Sequence, residues 1–163
     1  MNYKEALGKW AEDCAALYVQ NMLHMRVIGR NIKNQYGELD ITAIEPKPEE
    51  ANYSFDNSDG KFKLENIIKR KQRAKLEDEL VIIEVRCRSE NSWQRPLESI
   101  GNKKLCCLVR ASYAYAAKIT WTGNWRIDLI GIEVPRRYGE RPYCFDYVQD
   151  IAAGIDEEKF LKF

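Results

Sequence analysis

The chain is 163 residues long, about one domain's worth of protein and enough to bury roughly two-thirds of the surface that its unfolded form exposes. Hydrophobic residues make up 45% and charged residues 31%, an ordinary globular composition on the charge-rich side. No run approaches the roughly 18 apolar residues of a membrane span. The N-terminal MNYKEALGKWAED has neither the apolar core nor the small-residue cleavage site of a secretory signal, so a cytoplasmic protein with no membrane partner is expected.

The five cysteines, Cys14, Cys87, Cys106, Cys107 and Cys144, are odd in number and include one directly adjacent pair. Neither a disulfide framework nor a zinc site of paired CxxC motifs can be built from them, and the single histidine, His24, cannot anchor a multi-histidine site. They are expected to be small core or surface residues in a reducing compartment, which leaves open a hard metal held by carboxylates. The net charge of +1 gives no argument for a nucleic-acid partner. Its distribution is more informative, because residues 61–110 carry 13 basic against 7 acidic side chains, and a local field can matter where the total does not. A solvated charged face explains that excess equally well.

In chain order, Ala6, Leu7, Trp10, Cys14, Leu17, Tyr18 and Met22 recur at three- and four-residue steps and predict an amphipathic helix from Tyr3 to about Leu23. Asn2 is its expected N-cap, with Glu5 completing a capping box. Residues 25–32 read as a strand and Asn34 to Gly37 as a turn. Along 38–44, Leu39, Ile41 and Ala43 are predicted to point one way, and Glu38, Asp40 and Thr42 the other. Residues 46–78 read as a basic insertion between neighbouring strands, a connection long enough to be functional or disordered. The run Leu80-Val81-Ile82-Ile83 suits a central strand covered on both faces. Past it, Glu84, Arg86 and Arg88 share one face, and Val85 and Cys87 the other. After a polar loop at 89–99, residues 100–118 are predicted helical, with Leu105, Leu108, Val109, Ser112 and Ala116 inward and Lys103, Lys104 and Arg110 more exposed. Strands are expected at 125–134 and near 143–148. The order α-β-β-(insert)-β-α-β-β predicts one α/β domain over 1–163, a mixed sheet with a helix against each face.

Two spacings carry chemistry. Glu38-x-Asp40 and Glu84-x-Arg86 each place two side chains on one strand face. Neighbouring strands would bring Asp40 and Glu84 close enough to repel unless protonated or bridged by a cation such as Mg²⁺. Arg86 beside them would balance charge and hold a phosphate. Spacing alone leaves this open and favours cross-strand salt bridges on a solvated face. Lys103 and Lys104 sit unfavourably with the dipole at a helix start, which points mildly to anion binding. Arg30 reads equally as a phosphate contact or as a partner of Glu38 or Asp40. Trp93 reads as a loop anchor more readily than as a base-stacking platform, and Asp128 beside Arg126 as structural.

The ordered segments add to this. Gly8-Lys9-Trp10-Ala11-Glu12, Arg30-Asn31, Gly37-Glu38-Leu39-Asp40-Ile41, Ile83-Glu84-Val85-Arg86-Cys87-Arg88, Lys103-Lys104 and Arg126-Ile127-Asp128-Leu129-Ile130 together resemble the YraN family of small bacterial proteins. That family's fold is similar to the restriction-endonuclease-like nucleases and archaeal Holliday junction resolvases. The match spans about residues 5–134, interrupted by the insertion.

The resemblance implies a Mg²⁺ or Mn²⁺ site from Asp40, Glu84 and the backbone carbonyl of Val85, with Glu12 reaching in from the first helix. It implies a catalytic lysine at position 86, where this chain has arginine, a side chain that does not act as a base. The expectation is therefore an endonuclease acting on structured or branched DNA, with Arg30, Arg88, Lys103 and Lys104 on the nucleic acid. The alternatives are a catalytically inactive nucleic-acid-binding module of the same fold, and an interaction domain whose charges only pair with each other. Junction resolvases of this fold are dimers, which implies a homodimer here, although the sequence names no patch for it.

Overall fold

A computed structural model describes residues 3–46, 78–89, 95–134 and 144–154. Asn2, nearly all of the 46–78 insertion and Trp93 lie outside the described residues. Five strands form one mixed sheet in the order β1-β2-β3-β4-β5. The antiparallel meander of β1 (Arg26–Asn34), β2 (Gly37–Glu45) and β3 (Glu79–Ser89) is followed by β4 (Trp125–Val134), parallel to β3, and by β5 (Cys144–Val148), which returns antiparallel. A parallel pair needs a crossover, and helix α2 (Asn102–Lys118) provides it across one face. Helix α1 (Tyr3–Asn21) covers the other face. This is the restriction-endonuclease-like α/β sandwich, a mixed sheet held between helices. No described helix is long and apolar enough to cross a membrane.

The apolar run of β3 behaves as its composition predicts. Val81 and Ile83 join Ile41, Ala43, Ile130 and Ile132 under α1, while Leu80 and Ile82 join Leu108, Val109 and Ile127 under α2. Cys14 and Cys87 pack at the border of the α1-side core, where burial pushes the Cys87 thiol up to about 11. The face that α1 turns inward departs from the predicted stripe. Ala11, Ala15, Ala16 and Val19 are buried, whereas Leu17 and Met22 are 58% and 67% exposed. A helix lying flat on a sheet needs short side chains at its line of closest approach, so the alanine ridge wins over the bulkier one. Tyr18, at the border of that ridge, stacks on Phe145 with centroids 5.5 Å apart. On α2 the predicted face holds from Leu108 onward with Ala111 and Tyr115 added, and Leu105 is only half-buried.

The predicted alternation along β2 is also corrected. Ile41 and Ala43 lie under α1, but Leu39 packs into the α2-side core, and Thr42 on that side donates to the Tyr115 hydroxyl at 3.2 Å. The facing therefore switches between Leu39 and Ile41, at Asp40. The partner strand shows why. Arg30 and Ile32 pair with Ile41 and Leu39, and Asn31 between them has φ +52°. One residue in the left-handed region reverses which side the ribbon presents, so Arg30 reaches α1 while Ile32 joins the α2-side core.

At the start of β4 the charges close on themselves. Arg126, 9% exposed, donates to Asp128 through Nε at 2.9 Å and Nη2 at 3.0 Å, to Glu45 at 2.6 Å and to Glu79. The fully buried Asp128 also accepts from the Tyr147 hydroxyl and from the Asp150 N–H at 2.9 Å. Burial and Asp128 push the Tyr147 phenol up to about 12. Three strands are thereby tied together by one guanidinium. Replacing Arg126 with Met strands a buried carboxylate and is expected to cost about 3–5 kcal/mol in urea unfolding.

Candidate functional site

The backbone opens the site before any side chain enters it. The β2–β3 ladder runs from Glu45↔Glu79 to Ile41↔Ile83 and stops there. Beyond that point β2 stays with β1 as far as Asn34↔Gly37, and β3 stays with β4 as far as Ser89↔Val134. The sheet thus parts between β2 and β3, and Asp40 and Glu84 are the first residues past the fork. Where the next ladder bond would fall, the Val85 N–H donates instead to Asp40 Oδ2 at 2.8 Å. A carboxylate serves as the acceptor that a diverging strand can no longer supply.

Glu84 projects from the same face of β3 as Leu80 and Ile82, toward α2, and its side chain is only 2% exposed. Its Oε1 receives Lys104 Nζ at 3.0 Å and Arg86 Nη2 at 3.2 Å. Its Oε2, and the Nε of Arg86, are buried with no hydrogen-bond partner among the described residues. Lys104 comes from the first turn of α2 and Arg86 from β3 itself, so the acids and cations of this cluster arrive on three elements. The Glu84 ion pairs and the Asp40–Val85 bond mean that neither carboxylate is simply matched to one arginine.

Burial, and then the neighbouring Asp40 carboxylate, push Glu84 up to about 7 against the pull of Lys104 and Arg86. Asp40 is raised by burial too, opposed by the Val85 N–H, Lys104 and Arg86. Two carboxylates in one poorly solvated place resist ionising together, and a bound cation relieves that.

Glu12 stands on the α1 side. Burial and Asp40 raise its carboxyl, and the Asn31 side chain hydrogen-bonds to it. It lines a groove of about 630 Å³ with Lys9, Asp13, Arg30, Asn31 and Glu38. The left-handed Asn31 is thus both the pivot of β1 and a partner of Glu12. Among the described residues no group of three or more His, Cys, Asp or Glu side chains is placed to hold a metal ion; the centre holds two carboxylates, with Glu12 beyond them.

Of the basic residues singled out from sequence, Arg30 pairs with neither Glu38 nor Asp40 but with Asp13 of α1, at 2.6 Å. Lys33 is the side chain that faces Glu38, at 3.7 Å. Lys103 is exposed at the start of α2, and Arg88 is half-buried two residues beyond Arg86. Lys104 is different, since it is drawn onto Glu84. Its proximity was not legible in spacing, because 19 residues of chain, a 3-10 turn (Pro96–Ser99) among them, separate the two.

The raised Glu84 carboxyl sets a pH dependence. Between its ordinary value of 4.5 and about 7 the folded protein holds a proton that the unfolded chain has released, so stability falls as pH rises through that window. Without metal, the melting temperature is expected to drop from pH 5 to pH 8, and Glu84→Gln to remove most of that slope.

The model of the "Uncharacterised protein family UPF0102" matches residues 11–132, a span that takes in Glu12, Asp40, Glu84, Arg86, Lys104 and Arg126. A UPF0102 protein of Herpetosiphon aurantiacus is 30% identical over 138 residues, covering 82% of this chain and 86% of that protein. One from Streptomyces griseus is 30% identical over 139 residues, covering 84% and 90%. One from Carboxydothermus hydrogenoformans is 30% identical over 134 residues, covering 82% and 86%. The chain belongs to the UPF0102 family, the YraN family of the resemblance drawn from its motifs.

Proposed function

We propose that this protein is a divalent-metal-dependent endonuclease that hydrolyses phosphodiester bonds in structured or branched DNA. The observation that carries the reading is Glu84, a carboxylate 2% exposed whose Oε2 has no partner among the described residues, set beside Asp40 at the open end of a sheet. A buried orphan oxygen is costly unless something occupies it. Two carboxylate side chains on diverging strands suit a hard, oxygen-seeking cation, so the donor set fits Mg²⁺ or Mn²⁺.

Asp40 and Glu84 would hold the ion, with the Val85 carbonyl as the backbone ligand that the family resemblance implies. Bound there, the ion supplies positive charge to a phosphate oxygen and lowers the pKa of a water. The protein's own residues do the rest. The Val85 N–H keeps Asp40 turned into the fork. Arg86 offers a permanent cation to the developing phosphorane charge and, as a guanidinium, takes no proton. Glu12, with its raised carboxyl, adds an acid on the α1 side. Lys103, Arg88 and Arg30 supply flanking charge for the DNA backbone. Arg86 is also what favours the second reading, a catalytically silent module that binds nucleic acid without turnover.

The test uses end-labelled four-way junctions, flaps and linear duplexes with Mg²⁺ or Mn²⁺, against a chelator control. Cleavage of a branched form is expected only with metal. Asp40→Ala and Glu84→Ala are expected to lower it by about a hundredfold or more, because each removes part of a metal site worth several kcal/mol at roughly tenfold per 1.4 kcal/mol. Salt-sensitive binding with no cleavage of any form would put the silent module in its place.

A further inference from the structure

Arg86 occupies the position where the resemblance puts a lysine, yet it shares Glu84 with a second cation. Lys104 Nζ lies 3.0 Å from Glu84 Oε1, against 3.2 Å for Arg86. The Lys104 backbone is held by a helix whose Leu108 and Val109, one turn on, are buried against the sheet. Its side chain is about one-third exposed, at 35%, so the ammonium bridges a buried carboxylate and open solvent. The guanidinium of Arg86 is wedged by comparison, with Nη2 on Glu84 and a buried Nε that has no partner among the described residues.

We propose that Lys104 is the site lysine of this protein: an ammonium delivered from α2, rather than a side chain of β3, contacts the scissile phosphate beside Asp40 and Glu84. The inference rests on the nuclease reading above. An ammonium is a compact point charge with three donors, and the Glu84 contact uses one of them. A lysine that only steers DNA needs no buried partner, and the neighbouring Lys103 is exposed, whereas Lys104 reaches the buried Glu84. Lys104 instead spans the gap between the protein's most buried carboxylate in the site and the surface where a phosphate would lie. The pattern of the site becomes Asp40, Glu84-x-Arg86 and Lys104, with the two cations 2 and 20 positions after Glu84 in the sequence but on the same oxygen in space.

The experiment measures kcat and KM on the branched DNA cleaved best, Mn²⁺ affinity by calorimetry, and the melting temperature. The full chain is compared with Lys104→Met, Lys104→Met combined with Arg86→Lys, and Lys118→Met from the last turn of the same helix. Lys104→Met is expected to lower kcat roughly a hundredfold with KM changed by less than about threefold, the pattern of a lost transition-state donor. Mn²⁺ binding should persist, since a competing cation has left Glu84, and Lys118→Met should cleave as the parent does. Returning an ammonium from β3 through Arg86→Lys should recover at least about tenfold of the lost kcat. If Lys104→Met does not fold, Lys104→Gln takes its place with the same expectations. Unchanged kcat in Lys104→Met, a loss that tracks lost Mn²⁺ binding, or a double variant no better than the single one each overturns the proposal while the nuclease reading stands. A parent protein that cleaves no DNA form overturns that reading, and this inference with it.

Discussion

The hydrogen bond from the Val85 N–H to Asp40 Oδ2 sits where a sheet stops being a sheet. On one side of it β2 and β3 are ordinary antiparallel neighbours, and on the other they separate, each keeping its outer partner. Strands that part leave backbone donors and acceptors exposed to a half-dry environment, and each must find a substitute. Asp40 is that substitute, and the fork it completes is the opening into which Glu84, Arg86 and Lys104 face. The left-handed Asn31 belongs to the same device. By reversing the face of β1 and β2, it lets Leu39 seal the α2-side core while Arg30 and Glu12 address the α1 side.

Among the described residues two buried groups of charge, both joining carboxylates to an arginine, differ in an instructive way. Around Arg126, Asp128 accepts from two guanidinium nitrogens, a phenol and a backbone N–H, and the third nitrogen serves Glu45 and Glu79. Such saturation makes a buried ion-pair network tolerable and specifies which strands meet. Around Glu84 the opposite holds. Two cations crowd one oxygen while the other is left bare, and the carboxyl is pushed up to about 7. A network of this saturated kind satisfies its members, and the Glu84 cluster leaves one carboxylate oxygen without a partner among the described residues.

The α/β layout, the buried β3 strand and the segments that mark the family were legible in the sequence, since each depends on short-range pattern: an apolar run, a period, a motif. The errors have one origin. The inward face of α1 was misplaced at Leu17 and Met22, and the alternation of β2 was carried straight through Asp40. Periodicity reports which residues could share a face, but not how closely a helix must approach a sheet, nor where a single positive φ turns a ribbon over.

By itself the sequence determined the order of elements, the family, and the acids Asp40 and Glu84 as the pair to watch. Tertiary structure alone decided that the two stand at a fork in the sheet, and that Arg126 and Asp128 are closed upon themselves. It also brought Lys104, a residue of another element, onto Glu84. The physical reason is that a carboxylate's chemistry depends on its solvation and on which charges lie within a few ångströms of it. Those neighbours come from strands and helices far apart in the chain.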